Sequence, residues 1–365
     1  MKTSAYNIYD TTSQAWQAMY EAIAHAQSSI YWEVFVLVDD SSGTPFFDLL
    51  KQKALQGVDV KIVLDYWGSF SLSRKMIAQL AQSHVDIRIF RPFKHPFYGV
   101  RQWLMGGTHR KILVVDGQIG FVGGVNVQHH MKDWNDIHMQ LRGKIVRSLL
   151  RSFAKLYIQS GGERASVEHL LRYRHRVKHA LLDFVYDKPT EKKYSRVRER
   201  YIEAFMKARE RIILFSPYYF PGKEFVHALW QARKRGVKVD LLIPYRGDLR
   251  FMQYAAHAWF SIIEKLGVRI HLLKKMSHGK GIVVDDDWAM IGSSNIEFTS
   301  FYHNYEVNIK THDKKIVGKL QRILKRWMDN SYTLEEVKWK ERSFFTRMFE
   351  RVAFRLYKLW FKDSD

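Results

Sequence analysis

The sequence contains one 19-residue pattern twice. Residues 108–126 read THRKILVVDGQIGFVGGVN, and residues 277–295 read SHGKGIVVDDDWAMIGSSN. The shared positions keep the same spacing in both copies: His109, Lys111, Asp116, Gly123 and Asn126 in the first, and His278, Lys280, Asp285, Gly292 and Asn295 in the second. Histidine, lysine and asparagine are not the residues that a duplicated core keeps for packing. The repeat therefore indicates a duplicated fold with a function at these positions.

The repeat extends into the flanking sequence. Residues 28–69 and 210–248 each read as an apolar strand, an amphipathic helix and a second apolar strand, and a further helix and strand follow in each half. Strands that alternate with helices predict a mostly parallel sheet with helices on both faces. We therefore expect an α/β protein of two pseudo-symmetric α/β/α sandwich domains, with the active site at their interface and an amphipathic C-terminal helix.

The composition along the chain divides it into four segments. We predict a first α/β domain, a basic and helical connector, a second α/β domain and an amphipathic, basic-aromatic, membrane-binding tail, at residues 1–155, 156–195, 196–335 and 336–365.

The overall charge indicates an anionic partner. The formal net charge is +22, which suits either nucleic acid or an anionic membrane surface. The chain has no cysteine, which excludes disulfides, thiolate nucleophiles and cysteine metal sites. Residues 1–16 lack the apolar core of a signal peptide, and no apolar run reaches the ~18 residues of a spanning helix. A membrane contact is therefore expected to be peripheral.

The tail has the pattern of an interfacial helix. Residues 342–362 combine a basic stripe with a broad apolar face. The residues predicted to bind the membrane are Arg347, Arg351, Arg355, Lys358, Trp360 and Lys362. The alternative is that the apolar face packs on the protein body. Residues 91–106 also mix basic and aromatic side chains, as in a lid or second membrane contact; ordinary domain packing is the alternative.

The repeated side chains suit a phosphodiester. Residues two apart on a strand share a face, so His109 and Lys111 point together, as do His278 and Lys280. In a shared cleft, Lys111, Lys280, Asn126 and Asn295 would bind the non-bridging oxygens. One neutral imidazole would attack phosphorus while the other, protonated, donates to the leaving oxygen. No metal or other cofactor is needed for this charge neutralisation.

Each imidazole requires a partner for its second nitrogen. Asp136 lies ten residues after Asn126, and Glu306 lies eleven after Asn295. Pseudo-symmetry favours pairs that cross between the halves, His109 with Glu306 and His278 with Asp136. Asp116 and Asp285 complete the set of catalytic motif residues, although their place after the strand favours a bracing role.

The two motifs resemble the paired His-x-Lys-x₄-Asp-x₆-Gly-x-x-Asn motifs of the phospholipase D superfamily. Within it, residues 218–244 and 285–309 are similar to bacterial cardiolipin synthases, most closely the B type. The resemblance implies a metal-independent site between two α/β domains and a phosphohistidine intermediate, with His109 as nucleophile and His278 as acid. It also implies a peripheral enzyme on the cytoplasmic face of the bacterial membrane.

The implied reaction is the transfer of a phosphatidyl group from one phosphatidylglycerol to another, which releases glycerol and forms cardiolipin. Phosphatidylethanolamine remains an alternative donor, and water as acceptor would give a hydrolase. A nuclease of the same superfamily and a non-catalytic binding protein are further alternatives. Nucleic acid is not the expected partner, because the chain carries both motifs and the amphipathic tail. The sequence leaves the oligomeric state open.

Overall fold

The computed structural model describes residues 6–90, 106–173, 181–189 and 194–360. Within them the chain forms two β-sheets. The strands of the first sheet are β1 (Tyr6–Thr11), β2 (Ser29–Val34), β3 (Asp59–Asp65), β4 (Asp86–Phe90), β5 (Ile112–Val115), β6 (Ile119–Gly123) and β7 (Asn135–Arg142). Those of the second are β8 (Leu182–Asp187), β9 (Arg211–Phe215), β10 (Lys238–Pro244), β11 (Arg269–Leu273), β12 (Gly281–Val284), β13 (Trp288–Gly292), β14 (Glu306–Thr311) and β15 (Ser331–Tyr332).

The two sheets have the same strand order. The first runs β1-β7-β6-β5-β2-β3-β4, and the second, read from β8, runs β8-β14-β13-β12-β9-β10-β11-β15. Apart from the added β15, each strand has a counterpart in the other half. The predicted duplication and the α/β class are therefore confirmed.

The prediction of mostly parallel sheets is wrong. Strands β2, β3 and β4 are parallel, as are β9, β10 and β11, but the remaining pairs in both sheets are antiparallel. The reason lies in the turn after β5. Asp116 and Gly117 have φ of 52° and 63°, and the Gln118 N–H donates to the Val115 carbonyl at 3.0 Å. Two left-handed residues form a hairpin turn, so β5 and β6 pair antiparallel.

The helices of the described residues are α1 (Thr12–Ala24), α2 (Thr44–Leu55), α3 (Arg74–Gln82), α4 (Val146–Gln159), α5 (Arg164–Leu171), α6 (Arg196–Lys207), α7 (Lys223–Lys234), α8 (Arg250–Lys265), α9 (Phe298–Tyr302), α10 (Lys314–Asp329) and α11 (Phe344–Trp360). Short 3₁₀ helices span His129–Met131 and Trp339–Glu341.

The connector is only partly helical. Helix α5 lies within residues 156–195 as predicted, but β8 in the same segment is a strand that pairs antiparallel with β14. β8 occupies the place that β1 has in the first sheet. Its sequence LDFVYD buries Leu182, Phe184 and Val185, so it closes the edge of the second sheet instead of linking the halves as a helix.

The halves share a central core. Helices α4 and α10 follow the last motif strand of their half, and their apolar residues, such as Phe153 and Leu320, belong to one cluster that includes residues of both sheets. Helices α1–α3 pack with the first sheet in a second cluster, and α6–α8 with the second sheet in a third. Strands β6 and β7 contact β13 and β14. The halves therefore meet along the strands that border the repeated motifs.

Candidate active site

The backbone around each histidine is hydrogen bonded to the opposite half of the protein. The His109 N–H donates to the Tyr305 carbonyl at 3.0 Å, and the His278 N–H donates to the Asn135 carbonyl at 2.7 Å. Tyr305 and Asn135 donate in return to the carbonyls two residues before each histidine, at 2.9 Å in both cases. These reciprocal bridges bring both motifs to one interface.

The side chains of the histidines pair across the same interface. His109 Nδ1 lies 2.9 Å from Glu306 Oε1, and His278 Nδ1 lies 3.1 Å from Asp136 Oδ2. These are the crossed contacts that the sequence predicts. A carboxylate at Nδ1 holds the proton on that nitrogen and leaves Nε2 of each ring as the reactive atom.

The two motif lysines are buried beside the histidines. Lys111 Nζ donates to the His109 carbonyl at 2.6 Å, and Lys280 Nζ donates to the His278 carbonyl. Burial, followed by the charge of Lys280, holds the pKa of Lys111 well below its ordinary value. Burial lowers the pKa of Lys280 to about 8, although nearby carboxylates, first among them Asp136, oppose the shift. Two close ammonium groups in a buried cleft form a site for an anion.

The protonation of the histidines follows from the same surroundings. Burial lowers the pKa of His109 to about 4, with Lys111 and Lys280 adding to the effect and Glu306 opposing it. Burial and Lys280 also lower the pKa of His278. His109 is therefore neutral at neutral pH, as a nucleophile requires. A bound phosphodiester anion would raise the pKa of His278, as a general acid requires.

The two carboxylates stay ionised in spite of burial. Burial alone would raise the pKa of each. The hydrogen bond from His278 and the electrostatic interaction with that ring hold the pKa of Asp136 below its ordinary value, and the electrostatic interaction with the His109 ring and its hydrogen bond do the same for Glu306. Each histidine therefore has a fixed negative charge at Nδ1.

The two motif asparagines differ in their contacts. Asn126 Oδ1 accepts the Val36 N–H at 3.1 Å, which leaves its amide group as the donor. Asn295 Nδ2 instead donates to Glu297 at 3.2 Å, and its Oδ1 has no partner among the described residues. Both side chains are buried. That both asparagines contact the phosphate remains a prediction. Their hydrogen-bond partners differ, so their contributions to phosphate binding are not equivalent.

The assignment of Asp116 and Asp285 to the catalytic set needs correction. The Asp116 carboxylate accepts the backbone N–H groups of residues 27–29, at 2.7–3.1 Å. The Asp285 carboxylate accepts those of residues 209–211, at 2.8–2.9 Å. Both aspartates lie in the hairpin turns and fix them to the loops before β2 and β9. They brace the motif strands and do not face the cleft.

The glycines of the motifs permit a close approach of neighbouring strands. A Cβ atom added to Gly124 would overlap the carboxylate of Asp136, and one added to Gly292 would overlap the carbonyl of Val307. Each glycine thus leaves space for the strand that carries an orienting carboxylate.

Several buried polar residues at the site were not predicted. Ser293 donates from Oγ to Glu306. The Asp65 carboxylate accepts the Thr108 N–H at 2.8 Å, and burial raises its pKa to about 6. Burial also raises the pKa of Glu297 to about 7 and lowers that of His138 to about 4. Glu297 and His138 could not be found by comparing the two copies of the repeat. The position aligned with Glu297 holds Gln128, and the position aligned with His138 holds Asn308.

The predicted membrane residues lie on a partly covered helix. Helix α11 packs on α8, where Phe354 lies edge-to-face with Trp259 and Glu350 contacts His257. Ala353 and Tyr357 are buried, and Tyr357 stacks on Phe220 with ring centroids 4.0 Å apart. Arg347, Arg351 and Arg355 are exposed. The side chains of Lys358 and Trp360, the whole of Lys362, and residues 91–105 of the predicted lid lie outside the described residues.

The remaining features concern metals and membrane spans. Among the described residues, no three imidazole or carboxylate side chains are grouped so that they would hold a metal ion. In the same part of the chain, no helix combines the length and the apolar character that crossing a bilayer requires.

Comparison with known proteins identifies the family. Residues 19–157 and 201–328 match the family described as cardiolipin synthase, PLD-like domain. The chain belongs to this family. Cardiolipin synthase 2 of Bacillus anthracis is 31% identical over 95% of this chain and 68% of its own length. Cardiolipin synthase B of Salmonella typhimurium is 30% identical over 84% of this chain and 76% of its own length. The predicted relation of this cardiolipin synthase family member to the phospholipase D superfamily is thus confirmed.

Solved structures support the fold. The phosphatidylserine synthase of Haemophilus influenzae superimposes with a TM-score of 0.74 over 98% of this chain and 93% of its own, at 12% identity. The polyphosphate kinase of Porphyromonas gingivalis gives a TM-score of 0.59 over 89% of this chain and 47% of its own, at 14% identity. At these identities the likeness concerns the fold of the cardiolipin synthase family member alone.

Proposed function

We propose that this chain is a cardiolipin synthase that transfers a phosphatidyl group through a phosphohistidine intermediate, without a metal or other cofactor. The observation that carries the proposal is the pair of crossed contacts, His109 with Glu306 and His278 with Asp136. They leave two Nε2 atoms and two buried ammonium groups in one cleft, which is the set of groups that in-line displacement at a phosphodiester requires.

In the first half-reaction, His109 Nε2 attacks the phosphorus of phosphatidylglycerol. The bond between phosphorus and the glycerol oxygen breaks, and that oxygen takes a proton from His278. Lys111 and Lys280 balance the charge of the non-bridging oxygens. Glu306 balances the positive charge that His109 gains when it bonds to phosphorus. Phosphatidyl-His109 and free glycerol result.

In the second half-reaction, His278 accepts a proton from the headgroup hydroxyl of another phosphatidylglycerol. The oxygen attacks phosphorus, the bond to His109 Nε2 breaks, and cardiolipin leaves. The phosphoryl bond to His109 conserves the energy of the first ester, so that no nucleotide is consumed. Phosphatidylethanolamine as donor and water as acceptor are the competing outcomes.

The test is mass spectrometry of products from vesicles of phosphatidylglycerol alone. We expect cardiolipin and glycerol in equal amounts, with no product from a His109→Ala variant. Phosphatidic acid as the main product would indicate a hydrolase instead. Cutting of plasmid DNA in the presence of EDTA would indicate a nuclease.

We also propose that α11 holds the protein on an anionic bilayer, as a peripheral protein on the cytoplasmic face of the bacterial membrane. The side of α11 away from α8 leaves Phe345, Phe349, Leu356 and Leu359 between 50% and 67% exposed, beside the three exposed arginines. At the start of α8, Phe251 is 49% exposed. An apolar surface of this extent with a basic border is typical of interfacial binding.

A double variant, Phe349→Ser with Leu356→Ser, tests this surface. Each half-exposed side chain contributes roughly 1 kcal/mol when buried in lipid, so partition onto phosphatidylglycerol vesicles should fall about 30-fold. Leu55→Ser with Met206→Ser is the matched control, because both of these apolar side chains are 67% exposed outside α11. Equal partition of the two double variants would exclude α11 as the binding surface.

A further inference from the structure

A second pocket lies behind the His109 segment, between α4 of the first half and β8 of the second. It encloses about 340 Å³, within the range of ~300–1,000 Å³ that is usual for small-ligand sites. Its walls come from both halves: Arg110, Ser148, Arg151, Ser152, Lys155 and Gln159 from one, and Phe184, Tyr186, Lys188 and Tyr305 from the other, with Leu156 beside them.

The lining of this pocket is strongly basic. Arg110, Arg151, Lys155 and Lys188 contribute four cationic groups, and no aspartate or glutamate is among the described residues of the wall. Burial, followed by the charges of Arg151 and Lys188, lowers the pKa of Lys155. The cations thus lie close enough to repel one another. A bound anion would relieve this repulsion.

Two donors in the wall have no hydrogen-bond partner among the described residues. They are Ser148 Oγ, on a side chain only 3% exposed, and Arg151 Nε. Nη1 of Arg151 donates to the carbonyls of Leu171 and, at 2.6 Å, of Tyr173, which fixes the guanidinium in place. A buried donor without an acceptor is costly, so these atoms point to a ligand that accepts hydrogen bonds.

The pocket is separate from the catalytic cleft. Arg110 lies between His109 and Lys111 in the chain, but its side chain extends away from them. Its Nε donates to Glu33 at 2.7 Å and its Nη1 to Ser152 at 2.6 Å. Arg110 therefore stands in the wall of this pocket as an ion pair with Glu33 and is directed away from the cleft.

We propose that this pocket binds the phosphate group of a second anionic ligand, either a soluble phosphate ester or a phospholipid headgroup. The cations and the two open donors bind the phosphate oxygens. Phe184 and Leu156 give the ester carbon atoms an apolar contact. Because both halves line the pocket, the ligand links α4 to β8. The site does not depend on the reaction proposed above.

Equilibrium dialysis of the full chain against radiolabelled inorganic phosphate tests the site. The pocket variant is Lys155→Glu with Lys188→Glu, and the control is Lys207→Glu with Lys238→Glu. All four lysines are exposed, and both pairs change the net charge equally. We expect the pocket variant to bind one phosphate fewer per chain than the wild type, or to bind it at least tenfold more weakly. The control should match the wild type. Lys155→Gln with Lys188→Gln should give the same loss if the reversed charges prevent folding.

Vesicle binding then distinguishes the sources of the phosphate. If the ligand is a headgroup, the pocket variant should bind phosphatidylglycerol vesicles more weakly than the control while both bind phosphatidylcholine vesicles equally. If the ligand is a soluble ester, only the dialysis should change. Equal phosphate stoichiometry and affinity in the pocket variant and the control would overturn the proposal.

Discussion

Replacement of Glu306 by glutamine is expected to slow catalysis strongly without loss of substrate binding. The Glu306 carboxylate accepts a hydrogen bond from His109 Nδ1 at 2.9 Å. A glutamine amide has nearly the same shape but can donate to Nδ1. The proton would then move to Nε2, and the lone pair that attacks phosphorus would be lost. The variant also removes the negative charge that balances the phosphorylated imidazole.

The magnitude follows from this distance. Centres of charge ~4 Å apart interact by about 4 kcal/mol at an effective dielectric constant of ~20. A full charge on His109 would therefore account for about 10³ in rate. The transition state carries only part of that charge, but the change of tautomer adds to the loss, which is about 10⁴ for the analogous change in a serine protease triad. We expect kcat to fall by about 10²–10⁴ for Glu306→Gln.

The binding of substrate should move in the opposite direction. Glu306 opposes the positive field of the cleft, since its charge raises the pKa values of His109, Lys111 and Lys280. Its removal leaves a more positive cleft, so KM for phosphatidylglycerol should stay equal or decrease. The pKa of His109 should fall further below about 4, so a higher pH should not restore activity.

The assay is steady-state cardiolipin formation on phosphatidylglycerol vesicles, with the phosphatidyl-enzyme trapped by acid quench. Asp187→Asn is the matched control, because Asp187 is a buried carboxylate opposite Glu306 on the adjacent strand. Asp187 caps α6 and contacts neither histidine among its hydrogen bonds. A kcat for Glu306→Gln within threefold of that for Asp187→Asn would refute the orienting role.

Three further predictions follow from the contacts. A His278→Ala variant should form the phosphatidyl-enzyme slowly from phosphatidylglycerol. It should do so at nearly the wild-type rate from a p-nitrophenyl ester, because that leaving group needs no acid. Equal impairment with both substrates would remove the role of His278 as acid. KM for phosphatidylglycerol should rise above pH about 8, where Lys280 loses its proton. Lys280→Arg should move this rise in KM to higher pH. A rise at the same pH in the variant would mean that another group titrates. Asp240 is buried among Arg211, Arg269 and His271, which hold its pKa at about 2 against burial. Because the two arginines are half exposed and solvent screens their charges, Asp240→Asn should lower the free energy of unfolding by only ~1–2 kcal/mol at neutral pH. Because the folded-state pKa is depressed, the contribution of Asp240 is present above pH ~4 and lost as the pH falls towards about 2; urea unfolding at several pH values should find no such step in the variant.

The repeated motif, with the strand–helix alternation around it, was enough to predict the fold class and the meeting of the two halves. The spacing of the motif residues can be read from the sequence directly. Two copies of His-x-Lys with the same spacing require two equivalent strands in equivalent positions of the fold. The crossed pairing of His109 with Glu306 also followed from the duplication. A pseudo-two-fold arrangement places the second half of each copy beside the first half of the other.

The prediction of mostly parallel sheets gave too little weight to the hairpin turns of the motifs. Asp116 and Gly117 adopt left-handed backbone conformations, so β5 and β6 form a hairpin and the sheets are mixed. The same turn places the carboxylate of Asp116 against residues 27–29, where it braces the strand. β8 was missed because it is a single edge strand within a basic segment, and the neighbouring sequence contains no strand with which it pairs.

The sequence by itself determined which residues recur and therefore the symmetry, the chemistry and the crossed pairs of the cleft. Only the tertiary structure decided how buried these groups are, and with it their protonation, because the pKa of a side chain depends on solvent that distant segments exclude. The same holds for Glu297, for the basic pocket between α4 and β8, and for the half-covered face of α11. Each of these arises where segments far apart in the chain come together, and no local pattern of residues encodes that meeting.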